Sequence, residues 1–217
     1  MLRPLSALLF TALLGLTGCQ SAYYAAMEKV GVHKRDILVD RVEEARDSQQ
    51  EAKEQFQSAL DRYRSVVQVK GGELEARYEA LNKEYLASES SAKEVRARIE
   101  AVEDVAEALF EEWEGELKLY SNASLRNASA AELKRTRAQY KTLLERMRAA
   151  ERRIEPVLSV LRDQVLFLKH NLNARAISAL QGEYRTLQGN VDQLLRDMQR
   201  AIDEADAFVR TLQQNDE

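Results

Sequence analysis

A single cysteine, Cys19, is present in the chain, so no intrachain disulfide can form and stability has to come from packing. Prolines are almost as scarce: there are two, Pro4 and Pro156, which leaves long stretches free to run as uninterrupted helix. Basic excess is missing too, with 32 Lys and Arg against 36 Asp and Glu. That balance argues against a nucleic-acid partner, because neutralising phosphates calls for a basic face. No Gly-rich phosphate loop, no CxxC and no Ser/His/Asp set in a strand context occurs, so no catalytic residues and no cofactor are expected and an enzyme is disfavoured. What is abundant is charge and helix-forming residues: 31% of the chain is charged and 45% hydrophobic.

The N-terminus reads as a processing segment. Arg3 gives a positive start, and residues 5–16, "LSALLFTALLGL", are a short apolar run. Twelve residues cannot span a bilayer, which needs ~20. The run ends in Leu16-Thr17-Gly18-Cys19, which resembles the bacterial lipoprotein signal. In that signal the cysteine thiol takes a diacylglycerol, further acylation adds chains such as palmitate, and cleavage falls just before the cysteine. The expected layout is a signal peptide at 1–18, an acylated tether at 19–33, a helical bundle at 34–214 and a disordered tail at 215–217. An ordinary secretory signal with a chance cysteine is the alternative. Losing Arg3 with the signal leaves a mature net charge of −5.

Apolar residues then recur at alternating spacings of three and four, the heptad pattern of packed helices. One seam, Leu38, Val42, Ala45, Gln49, Ala52, Phe56, Ala59, Tyr63, Val66, predicts a helix over about 34–68 ended by Gly71-Gly72. A second, from Leu74 through Leu81, Val95, Ile99 and Leu109 to Trp113, predicts one reaching about Tyr120. Residues 121–129, "SNASLRNAS", read as a turn closed by a capping box of Ser129 and Glu132. The third seam runs Leu133, Arg137, Tyr140, Leu144, Met147, Glu151, Ile154, Leu158, Leu161, Val165, Leu168, with Pro156 expected to bend it. "HNLN", residues 170–173, is a tight connection in which Asn173 caps the fourth helix, whose seam runs from Ile177 to Leu212. The fold class is all-α: an elongated antiparallel bundle, or coiled coil, of about four long helices.

Charge supports that pairing. Residues 100–116 carry eight acids and no base, whereas 134–153 carry eight bases and two acids. Folding the second and third helices back about residue 124 or 125 brings the blocks face to face. Each block opposes the macrodipole of its own helix, so cross-helix register is the better reason for the layout.

Candidate sites are few. His33 lies in the tether and His170 at a helix C-terminus, and neither belongs to a Glu-x-x-His metal pair, since positions 30 and 167 are Val and Phe. "EEWEGE", residues 111–116, spreads around a helix circumference and reads as a solvated or paired face, so no metal site is expected. Tyr23 and Tyr24 suit either the headgroup level of a membrane or core packing. In "VLFLKHNLNARAISAL", residues 165–180, Leu166 and Phe167 exceed a two-residue seam. Either the buried stripe is wide there, or the turn presents a partner-contact patch of Leu166, Phe167, His170, Asn171 and Asn173.

Five strings, "VGVHKRDILVDRVEEARDSQQEAKEQF", "GGELEARYEALNKEY", "VEDVAEALFEEWE", "LYSNASLR" and "DQVLFLKHNLNARAISALQGE", make the chain resemble the bacterial lipoprotein family known as domain of unknown function 2959 from about Val30 to Val209. The resemblance implies an exported helical protein of Gram-negative bacteria and supplies no activity. Within it, the loop-like strings "SNASLR" and "KHNLNARAI" are the places to look for a site. Gln20 after the cysteine, where the enterobacterial sorting rule reads Asp as inner-membrane retention, points to the periplasmic face of the outer membrane. The function expected is that of a noncatalytic envelope scaffold. Its partners are the membrane, through the lipid, and other envelope proteins. The alternatives are a binder of lipids or other hydrophobic ligands, and a chaperone-like clamp.

Overall fold

The computed structural model describes residues 18–29, 31–68 and 73–214. The signal segment with Leu16 and Thr17, the Gly71-Gly72 terminator, the 215–217 tail and the Cys19 side chain lie outside the described part. Five helices follow in order: α1 (Gly18–Lys29), α2 (Lys34–Gln68), α3 (Leu74–Glu116), α4 (Ala123–His170) and α5 (Ala174–Gln214). The four long ones form a closed ring in which α2 packs on α3, α3 on α4, α4 on α5 and α5 back on α2. Helices of 35 to 48 residues rise 1.5 Å per residue and are rods of roughly 50 to 70 Å.

Side-chain links set the antiparallel register. Lys34 meets Glu112 at 3.0 Å and Arg98 meets Glu44 at 2.7 Å across α2 and α3. Arg46 meets Asp206 at 3.1 Å, and the Tyr63 hydroxyl donates to the Leu180 carbonyl at 2.8 Å, across α2 and α5. Between α3 and α4, Arg137 pairs with Glu114 and Arg148 with Glu103, joining the acidic and basic blocks symmetrically about residues 125 and 126. The expected fold-back point is therefore correct. The blocks are joined, however, by particular pairs rather than by a continuous zipper: Glu112 turns instead to Lys34, and Arg153 to Asp197 of α5.

All nine expected seam residues of α2 are buried, Gln49 among them. Ile37, Leu60 and Val67 are buried as well, because a helix with two neighbours needs a stripe wider than a two-residue seam. In α4 the same effect moves the register. Arg137, Leu144 and Glu151 are only half-buried, and Thr136, Leu143 and Ala150 take their places in the core. α3 keeps its central seam buried and leaves Leu74, Tyr78, Tyr85 and Trp113 half-buried toward its ends. At one end of the ring, Phe110 packs edge-on to Tyr140 at 5.4 Å, and Tyr140 in turn lies 6.4 Å from Phe208. Burial drives the Tyr140 hydroxyl up to about 12, with the Glu103 carboxylate adding to the shift.

Two helix ends differ from expectation. α3 stops at Glu116, short of Tyr120. α4 begins at Ala123 inside the expected turn, because Asn122 caps it: its Oδ1 accepts from the Ser124 and Leu125 amides at 2.9 and 3.2 Å. Ser129 is thus a helical residue and no cap; its hydroxyl accepts a 2.8 Å hydrogen bond from Trp113 Nε1. α4 runs through Pro156, which is exposed, at the cost of one backbone hydrogen bond to the Arg152 carbonyl.

The stretch read as a tether contains α1. The helix closes with a Schellman turn: the Gly31 amide donates to Glu28 O and the Val32 amide to Met27 O, both at 3.0 Å. Gly31 sits at φ 86°, a conformation that glycine adopts without strain. The turn folds α1 back toward α2. Tyr24 is buried in the common core, Lys34 lies 6.0 Å above its ring, and Lys34 bonds Glu28 and Glu112 together.

Candidate functional site

The expected contact patch lies where α4 turns into α5, at the end of the bundle away from α1. Its polar members are local structure. Asn171 ends α4, its amide donating to Leu168 O at 3.2 Å and its Nδ2 to Phe167 O at 2.9 Å. Asn173 caps α5 as expected, Oδ1 accepting from Arg175 N and Ala176 N at 3.0 and 3.1 Å. These contacts hold both asparagines in place and account for "HNLN" without a ligand. His170 is exposed at the last position of α4.

The apolar members behave differently. Leu166 and Phe167 are 48% and 42% exposed, and Leu172 joins them at 44%. The alternative of a wide stripe, in which α2 would cover Leu166 and Phe167, does not hold for these two side chains. Beside them the α4–α5 groove opens into a hollow of about 350 Å³ lined by Val160, Asp163, Gln164, Phe167, Leu180 and Glu183, with Ala179. Gln164 is 6% exposed and its Oε1 has no hydrogen-bond partner. An unpaired carbonyl buried this deeply costs ~1 to 3 kcal/mol, and it lies behind the wall of the hollow, closed off from solvent. The hollow suits an apolar side chain, and the carboxylates of Asp163 and Glu183 in its lining favour a cationic neighbour.

Nothing in the sequence pattern singled out Gln164, Asp163 or Glu183, since a glutamine next to a seam residue looks like an ordinary flank. The Leu166-Phe167 dipeptide was the available signal, and Phe167 lines this groove.

At the opposite end Glu28, Lys34 and Glu112 form one charged cluster. The hydrogen bond from Lys34 holds the Glu28 carboxyl below its ordinary range. Arg148 bonds Glu103 and Glu151 together, and Glu151 also takes Arg96 at 3.1 Å. Burial raises the Glu151 carboxyl, but the hydrogen bonds from Arg148 and Arg96 outweigh it and the net shift is downward. These are ion pairs that fix helix register. Among the described residues no group of three or more His, Cys, Asp and Glu is placed to hold a metal ion. No described helix is long and apolar enough to cross a membrane.

No curated protein and no solved structure matches the chain. The sequence model of the family described as "Protein of unknown function (DUF2959)" matches residues 23–212, from Tyr23 on α1 to Leu212 in the last turns of α5. With three of the long helices and all but the last two residues of the fourth inside that match, the chain belongs to the DUF2959 family.

Proposed function

We propose that the protein is a noncatalytic lipoprotein of the cell envelope. It is acylated at Cys19, held at the periplasmic face of the outer membrane, and built to present a contact surface at the far end of a rigid rod. The observation that carries this reading is the α4–α5 end: Leu166, Phe167 and Leu172 are exposed beside a hollow lined by Val160, Phe167 and Leu180 with the carboxylates of Asp163 and Glu183. Elsewhere the core is mostly buried apolar side chains along the four long helices, with Ser48, Gln49, Ser88 and Thr136 the buried polar residues among them. Exposed apolar side chains grouped beside a polar, charged rim are the composition of a protein–protein contact. The placement rests on the Leu16-Thr17-Gly18-Cys19 motif and on Gln20.

Binding of a lipid or other apolar guest between the helices is less well supported. The seams are filled by the protein's own large side chains, such as Phe56, Tyr63, Ile99, Met147 and Met198, and a guest would have to displace them.

Two measurements test the reading. Mass analysis of the protein taken from cell membranes should show an N-terminus that begins at Cys19 and carries acyl chains; an intact residue 1–18 segment with a free thiol defeats the anchor. A photo-crosslinker replacing Phe167 should capture a discrete envelope protein in whole cells, and Phe167→Asp should abolish capture by a crosslinker placed at Leu172. Capture that is unchanged by Phe167→Asp removes the α4–α5 end as the contact surface.

A further inference from the structure

The helical ring closes at the level of Lys34 and Leu212, where Lys34 bonds Glu112 and Arg35 donates to the Leu212 carbonyl. α3 and α4 continue past that level as a hairpin tip. Leu117 packs inward on the core and Trp113 is bonded to Ser129, so the base of the tip is held from both helices. Beyond this brace the apolar side chains point outward: Leu119 is 83% exposed, Leu125 58% and Tyr120 40%. Residues 117–131 contain Lys118 and Arg126 and no acid, in a chain whose net charge is −4. α1 lies at this same end through the Glu28–Lys34–Glu112 cluster, and Cys19, the proposed site of acylation, belongs to it.

We infer that the α3–α4 tip is a second membrane contact, in which Leu119, Tyr120 and Leu125 enter the boundary between headgroups and acyl chains while Lys118 and Arg126 meet the lipid phosphates. Three large apolar side chains at the convex apex of a braced turn match a lipid surface, which is yielding, better than a protein, which would need a complementary hollow. A tyrosine among them suits the headgroup level, and long cationic side chains can bury their stems while keeping the charge at the phosphates. The tip itself carries two bases and no acid, and of the exposed Glu114 and Glu116 just below it Glu114 is paired with Arg137, which lessens the repulsion that this acidic chain would meet at an anionic surface. The inference takes its orientation from the anchored reading above, and its test separates the two.

The test places an environment-sensitive fluorophore on the thiol of Leu119→Cys, in the chain purified from membranes and reconstituted in phosphatidylethanolamine and phosphatidylglycerol vesicles, some carrying nitroxide-labelled acyl chains. An acylated Cys19 takes no label, so the label count also reports the anchor. The expected result is a several-fold rise in emission with quenching by the nitroxide lipids. The same probe at Leu172→Cys, at the far end, should show neither. A second arm uses residues 19–217, which contain all five helices but for Gly18, with Cys19→Ser and Leu119→Cys. Here the probe should again enter vesicles, and Leu125→Ser should weaken binding on the order of tenfold, the effect expected for one buried leucine. A probe at position 119 that stays solvent-exposed on vesicle-bound, acylated protein overturns the inference and leaves the anchor standing. A probe that enters lipid in a chain found to lack acyl groups supports the inference and removes the anchor. Quenching of the Leu172→Cys probe as strongly as the Leu119→Cys probe, or capture of the tip by a protein in place of lipid, also overturns it.

Discussion

Gln49 presents the sharpest energetic question in the bundle. It is fully buried in the α2 seam, and neither its Nε2 nor its Oε1 has a hydrogen-bond partner. The contacts of Arg46 with Asp206 and of Arg98 with Glu44 lie on its N-terminal side and that of Lys53 with Gln199 on the other, and buried Ala45 and Ala52 flank it along α2. Each buried, unpaired polar group costs ~1 to 3 kcal/mol. Gln49→Met keeps the unbranched shape and removes both groups, so part of that penalty should return as stability. We expect a net gain of about 1 to 3 kcal/mol, since methionine also adds apolar burial. For a chain of this length, each kcal/mol moves Tm by roughly 2 to 4 °C, so the rise should fall between about 2 and 12 °C. Far-ultraviolet circular dichroism on heating measures it, and size-exclusion chromatography of the same samples tests whether the oligomeric state becomes mixed. A buried polar residue in a heptad seam can specify register at the expense of stability. A more stable but heterogeneous Gln49→Met protein would assign Gln49 that role. A lowered Tm with unchanged assembly would refute the reasoning, because it would mean that the amide is worth more in place than an apolar isostere.

Three further predictions follow from the same structure. Gly31→Ala should destabilise the protein by about 1 kcal/mol, because a Cβ at φ 86° is strained whatever the space around it; faster amide hydrogen exchange confined to α1 would show where the loss falls. Arg148→Glu should cost ~1 kcal/mol by placing a third carboxylate against Glu103 and Glu151, and adding Glu103→Arg should recover part of it in urea melts; indifference to the single change would show that the blocks do not set register. Stability should fall at both extremes of pH. Glu28, Glu114 and Glu151 are held below 4.5 in the fold, so their contribution is present above that value and is lost as pH drops through the folded values. Tyr140, raised by burial from 10.0 to about 12, contributes fully below pH 10 and loses that contribution as pH rises toward 12, with buried Tyr63 shifted the same way. Urea midpoints read against tyrosinate absorbance check both limbs, and a flat alkaline limb would contradict the burial of these hydroxyls.

The fold was legible wherever large apolar residues carried the heptad. In α2 and α5 large residues such as Leu38, Phe56, Tyr63, Leu187 and Leu194 fix the phase and carry Ala45, Gln49, Ala52 and Ala201 with them, so the core positions are those the spacing predicted, with Ile177 and Tyr184 half-buried near the start of α5. Legibility failed where small or polar residues occupy core sites. Thr136, Ala150 and Gln164 are buried in α4, yet composition gives them no more weight than the half-buried Arg137 or Glu151. It failed again at "SNASLRNAS", where Asn122 and Ser129 both resemble cap residues and only tertiary contact decides between them. Trp113 claims the Ser129 hydroxyl, and Asn122 takes the free amides. The candidate site was half-legible: Leu166 and Phe167 break the heptad in the sequence itself, whereas the hollow beside them exists only once α5 lies against α4.

α1 bears most directly on how the rod would stand at a membrane. Read as an extended tether, the fifteen steps from Cys19 to Lys34 could stretch ~50 Å and let the bundle drift in any orientation. As a helix of 12 residues it rises only ~18 Å, and the Gly31 turn folds it back on the bundle instead of letting it lead away. Buried Tyr24 and the Glu28–Lys34–Glu112 cluster hold it there. With Cys19 acylated, as proposed, the end of the bundle that carries Lys34, Glu112 and the α3–α4 tip is confined close to the lipid. The α4–α5 end then stands off by most of the rod's length of roughly 50 to 70 Å. A lipid contact suits one end and a protein contact the other, and the two exposed apolar groups, Leu119 with Leu125 and Leu166 with Phe167, lie at those opposite ends.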